Sequence, residues 1–77
     1  MNKEKLKEIF EIAKADKKDV AIELTVPTRT ATEVIIVKND NLDYKLSYYL
    51  NNYNDDLELT RCTDIKILSA ELVEWGV

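Results

Sequence analysis

Histidine is absent from this chain, and cysteine, glycine and proline each occur once. Each shortage closes a route. Without an imidazole, an activated serine or cysteine nucleophile lacks its commonest base. A zinc site is not expected, because Cys62 is the one thiolate donor and no imidazole accompanies it. An internal disulfide would need a second cysteine, and the lone Cys62 points to a reducing compartment. Phosphate-cradling loops need glycines where backbone N–H groups converge, and Gly76 stands next to last. No apolar run approaches the roughly 20 residues that span a bilayer. Met1 to Glu11 mixes charged and apolar residues without an uninterrupted apolar segment, so neither a secretory signal nor a membrane partner is expected. The expected location is the cytoplasm.

What is present suits one small folded domain. The 77 residues are 45% hydrophobic and 34% charged. A domain this short buries only about 60–65% of the surface its unfolded chain exposes. Such chains recruit a disulfide, a metal or a second subunit. With the first two closed, a homo-oligomer is the expected route. The net charge is −4, unevenly spread. Residues 1–38 carry eight basic and seven acidic side chains, residues 39–77 three and eight. An acidic chain is a poor fit to duplex nucleic acid, which needs clustered lysine and arginine. The acidic half either meets a basic partner or keeps the protein soluble.

Periodicity predicts the elements. Leu6, Ile9, Phe10 and Ala13 form one stripe of a helix from Asn2 to Ala15, with Asn2 as its N-cap. Val20, Ile22, Leu24 and Val26 alternate with Ala21, Glu23 and Thr25 in a strand that Pro27 ends. Glu33 to Lys38 contains the β-branched run Val34-Ile35-Ile36-Val37, which reads as a strand covered on both sides, hence central or at an interface. Asn39-Asp40-Asn41 is a turn and N-cap cluster before a second helix, Leu42 to Asn52, with Leu42, Leu46, Tyr49 and Tyr53 on one face. Leu57 to Arg61 is a short third strand, with Cys62 to Asp64 as a tight connection. A long fourth strand runs from Ile65 to about Trp75, and its apolar parity slips, which implies either a β-bulge or a strand covered on both sides. The expected fold is α+β in αββαββ order: a four-stranded, mainly antiparallel sheet with two helices packed on it, in the simplest version on one face, so that the other sheet face needs a partner, a need the Val34 to Val37 run supports.

No catalytic set emerges, so the chain is not expected to be an enzyme and no cofactor is expected. Two surfaces invite binding. On the second helix, Tyr44, Tyr48 and Asn51 fall opposite the apolar stripe. Tyrosines at i and i+4 on a wet face are unusual, because tyrosine is enriched at interfaces. The plainer alternative is partial burial by neighbouring loops. Asp43, Asp55, Asp56 and Glu58 add acidity around that helix, with Glu71 and Glu74 further on, and a charge-mimicking surface needs all of them in one patch. The second surface is the loop Thr28-Arg29-Thr30-Ala31-Thr32, where three hydroxyls surround an arginine. This set suits a small anionic ligand, or the threonines simply cap their own backbone.

The segments Glu33-Val34-Ile35-Ile36, Asn41 to Tyr49, Tyr53-Asn54-Asp55-Asp56-Leu57 and Asp64-Ile65-Lys66-Ile67 together resemble a family of short hypothetical proteins from phages and prophages of Gram-positive bacteria. Its members tend to show an "EVII" strand, an Asn/Asp-capped helix with a "KLEYY" core, "AYNDDL" and a "GIKI" strand. The likeness spans about half the chain, Glu33 to Ile67. It departs where the family often has Asn-Pro and this chain has Val37-Lys38, and where the family often has glycine and this chain has Asp64. The resemblance implies a small accessory protein in a bacterial host cytoplasm that binds a host protein, including a defence component as anti-CRISPR proteins do. Two alternatives stand beside it: an oligomer that sequesters a nucleotide-like anion, and a structural or assembly component of a phage particle.

Overall fold

The first helix begins where Asn2, in extended backbone, accepts the Lys5 N–H on its Oδ1 at 2.8 Å and so satisfies one of the four orphan donors. In this computed structural model, which describes residues 1–27 and 30–74, helix α1 covers Lys3–Asp16. Leu6, Phe10 and Ala13 are buried, and the lysines and glutamates between them face water. The helix stops at Lys17, whose left-handed backbone (φ 57°, ψ 42°) turns the next N–H, that of Lys18, back onto the Ala13 carbonyl at 2.9 Å.

Strand β1 spans Asp19–Leu24, β2 Glu33–Val37, β3 Glu58–Leu59 and β4 Cys62–Val73, and all pairings are antiparallel. Helix α2 covers Leu42–Asn52, entered through a 3-10 turn at Asn39–Asn41. The architecture is the expected α+β fold in αββαββ order, with sheet order β2-β1-β4-β3. Leu6, Phe10 and Ala13 of α1 and Leu42 and Tyr49 of α2 join Val20, Ile22 and Leu24 in one core. Both helices therefore cover the same sheet face. They run antiparallel to each other: Lys3 Nζ donates to the Leu50 carbonyl at one end, and Lys14 Nζ pairs with Asp43 at 2.9 Å at the other.

Several local expectations need correction. The strand Glu33–Val37 is an edge strand, not a central one. Its run of β-branched residues reflects strand propensity rather than cover on two faces. β1 ends at Leu24 rather than Val26: the Thr25 N–H still donates to the Lys66 carbonyl at 2.9 Å, but the Lys66 N–H returns to the Thr25 hydroxyl, which itself donates to the Asp64 carbonyl. Asn41 makes no side-chain cap to α2. Asn39 instead donates its amide group to the carbonyls of Ala13 and Lys18, and its backbone N–H to Asp19 Oδ1 at 2.7 Å. The third strand is two residues long, and Cys62 to Asp64 belong to β4 while the reversal falls at Thr60-Arg61.

The bulge appears as expected. Glu23 pairs with Ser69 and Leu24 with Ile67, so Leu68 is the extra residue. The insertion lets Ile67 and Ala70, three apart in sequence, both be buried against the helices. Among the described residues no helix is long and apolar enough to cross a membrane.

Candidate functional site

The expected tyrosine pair separates. Tyr44 is 70% exposed on the outer face of α2. Tyr48 is half-buried and packs edge-on against Tyr49 and Tyr53, at 5.6 and 6.4 Å between ring centroids. The cause is the helix end. Tyr53 leaves the helix in extended backbone and lays its ring beside Tyr49 at 5.5 Å, and this aromatic corner gathers Tyr48 with it. Lys45 Nζ lies 5.2 Å from the centroids of both the Tyr48 and Tyr49 rings, within cation–π range. Asn51 is exposed and donates to Ser47 Oγ one turn back.

The acidic residues also divide. Asp43 sits at the start of α2 in the pair with Lys14. Asp55 and Asp56 lie beyond its end, about 15 Å along the axis by helical rise. There Asn54 organises the turn: its Oδ1 accepts the Asp56 and Glu58 N–H groups, and its amide donates to Glu58 Oε1 at 3.0 Å. Leu57 takes a left-handed conformation (φ 60°) and points into the core. Glu74 approaches Lys18 at 3.9 Å, and Glu71 stands on the sheet. These residues occupy separate places rather than one continuous patch.

Of the anion-binding set, Thr28 and Arg29 lie outside the described residues. Thr30 is exposed, and the Thr32 hydroxyl donates to Glu23 Oε2 at 2.7 Å, so this hydroxyl serves a carboxylate of the protein itself. No cluster of three or more Asp, Glu or Cys side chains suited to a metal ion occurs among the described residues.

The sheet face away from the helices, expected to need a partner, is open in the structure. Residues of β1 with the opposite parity to the core, Ala21 and Glu23, pair with Ile36 and Val34 on one side and with Glu71 and Ser69 on the other. No family model, curated protein or solved structure matches the chain. The site must therefore be read from its own geometry. Ala21, Glu23, Val34, Ser69 and Glu71 line a shallow groove of about 250 Å³. Val34 is 61% exposed, and Leu68 at the bulge 41%. Beside the groove, Ile35 on the edge strand is 37% exposed although its parity is inward, so the helices do not reach fully across β2. An edge strand leaves every second N–H and C=O facing outward, ready to pair with another chain. The legible signal was the Val34-Ile35-Ile36-Val37 run, whose excess of apolar residues the structure leaves partly uncovered.

Proposed function

We propose that the chain works by binding another protein, and that the contact surface is the helix-free sheet face together with the outer edge of β2. The observation that supports this reading is the exposed Val34 between a backbone edge and a groove. A strand edge offers main-chain hydrogen bonds for affinity, and the groove beside it offers side-chain selection. Catalysis is no part of the reading, since the groove brings together two carboxylates and one hydroxyl with no nucleophile–base pair.

The phage-family resemblance supplies the context of this proposal: a small accessory protein acting on a host protein, a defence component among them, inside a bacterial cytoplasm. The acidic, tyrosine-bearing face of α2 is the weaker candidate surface, because Tyr48 is packed and Asp43 is paired with Lys14. Anion sequestration loses support from the engagement of Thr32 by Glu23. A homo-oligomer, or a role in particle assembly, would use the same edge strand.

The test is a pair of surface variants used as affinity baits against the proteins of a bacterial host, read by quantitative mass spectrometry. Val34→Lys should lose the partner that the unaltered chain retains, and Tyr44→Ala should keep it. Retention by Val34→Lys with loss by Tyr44→Ala would move the contact to α2 and reject the sheet-face reading.

A further inference from the structure

Resting on the sheet-face reading, we propose that the partner presents a basic side chain, lysine or arginine, to the open face, seated between Glu23 and Glu71 with its alkyl stem over Ala21 and against Val34. The placement follows from register. Glu23 lies opposite Ser69, and Ala21 lies opposite Glu71, so the two carboxylates are diagonal neighbours on adjacent strands. Such neighbours stand about 7–8 Å apart, close enough for one cation to reach both. Ala21 and Ser69 are small, and they form the floor between Val34, Glu23 and Glu71.

Among the described residues no cation pairs with these two carboxylates. Glu23 accepts only hydroxyl donors, Thr32 at 2.7 Å and Ser69 at 3.3 Å. Among the described residues Glu71 has no hydrogen-bond or ion-pair partner and no cation lines the groove. Lys38 is bonded to Asp19 at 3.1 Å, and Lys66, outward like Ser69 and in register with Glu58, does not line the groove and makes no ion pair with Glu23 or Glu71. Two like charges side by side on a sheet disfavour folding. A stem-and-head side chain is the complement, because lysine and arginine bury their methylenes on apolar surface while the head meets carboxylate.

A second copy of the chain fits less well. A two-fold contact of this face with itself would stack Glu23 and Glu71 against the same residues of the other copy. Three strands of about 20 Å also offer less area than the roughly 800 Å² per partner of a standard interface.

The experiment follows backbone amides of the 15N-labelled chain by NMR. The titrants are a blocked hexapeptide of alternating valine and lysine and, separately, its valine–glutamate counterpart. The lysine peptide should shift Ala21, Glu23, Val34, Ser69 and Glu71, and rising ionic strength should reverse the shifts. In the double variant Glu23→Gln/Glu71→Gln, binding should weaken by roughly three- to tenfold, the scale of two exposed ion pairs. The same variant should melt about 2–4 °C higher, since a like-charge pair has gone. Equal binding by the double variant would overturn the basic-residue proposal while leaving the sheet face as docking surface. Shifts centred on Tyr44, or no shifts at all with the lysine peptide, would overturn the proposal. Concentration-dependent shifts of the same amides without peptide would assign the face to a second copy and overturn it as well. A lower melting point in the double variant would show that the carboxylates are structural, with the same consequence.

Discussion

Replacing Tyr49 by phenylalanine deletes one oxygen from the centre of the fold, and that oxygen is a liability. Tyr49 is 2% exposed, and its hydroxyl has no hydrogen-bond partner among the described residues. A buried, unsatisfied polar group costs about 1–3 kcal/mol. The ring contacts survive the change: Phe10 at 6.3 Å, Tyr48 at 5.6 Å and Tyr53 at 5.5 Å, all edge-on, depend on the ring rather than the hydroxyl. Tyr49→Phe should therefore stabilise the protein by about 1 kcal/mol, which in a chain of this size raises the thermal midpoint by about 4–8 °C. Alkaline titration adds a second readout. Burial first, and then the neighbouring Tyr53 and Tyr48, push the Tyr49 phenol from 10.0 up to about 12. The unfolded chain thus releases this proton near pH 10, while the folded chain holds it to about 12. The stability tied to the neutral phenol is complete below the lower value and is lost as pH rises through the higher one. Burial also raises Tyr53, which acts in the same direction. Urea unfolding at stepped pH should show the wild type losing stability through this window and Tyr49→Phe losing less, so that the gap between them widens. A less stable Tyr49→Phe would refute the reasoning, because it would mean that the hydroxyl has a partner such as an internal water.

Other perturbations follow from single geometric features. Lys17→Gly relieves the left-handed backbone at the end of α1 (φ 57°) and should add about 0.5–1 kcal/mol in urea unfolding. Asn39→Ala removes both amide donations, to Ala13 and Lys18 at 3.2 and 2.9 Å, and should cost about 1–2 kcal/mol by the same assay. Deleting Leu68 erases the bulge and leaves the β1–β4 pairing regular, with Ile67, Ala70 and Leu72 still inward and Ser69 and Glu71 outward, so cooperative thermal unfolding by circular dichroism should persist.

The elements of this fold were legible because period and capping agree in them. Asn2 and the stripe Leu6, Ile9, Phe10, Ala13 define α1 to within a residue, and Leu42 to Asn52 matches α2 at both ends. The parity slip in β4 admitted a bulge or cover on both faces, and the register places the bulge at Leu68. Long-range partners were not legible. Whether Val34-Ile35-Ile36-Val37 lies inside the sheet or at its edge depends on strand order, which the run itself does not encode. Tyr48 and Tyr44 are equivalent by helical angle, and only the return of Tyr53 at the helix end separates them. Glu23 and Glu71 are 48 positions apart in the chain, and only the β1–β4 register brings them together. The open sheet face itself was expected once both helices share one side, but which residues meet in its groove depends on the strand register.

The most direct measurement places a photo-crosslinking amino acid at position 34 in one variant and at position 44 in another, in a bacterial host making the protein, and records adduct masses. A discrete protein adduct from position 34, absent from position 44, is the result expected if the open sheet face is the working surface. An adduct from position 44 alone would contradict it.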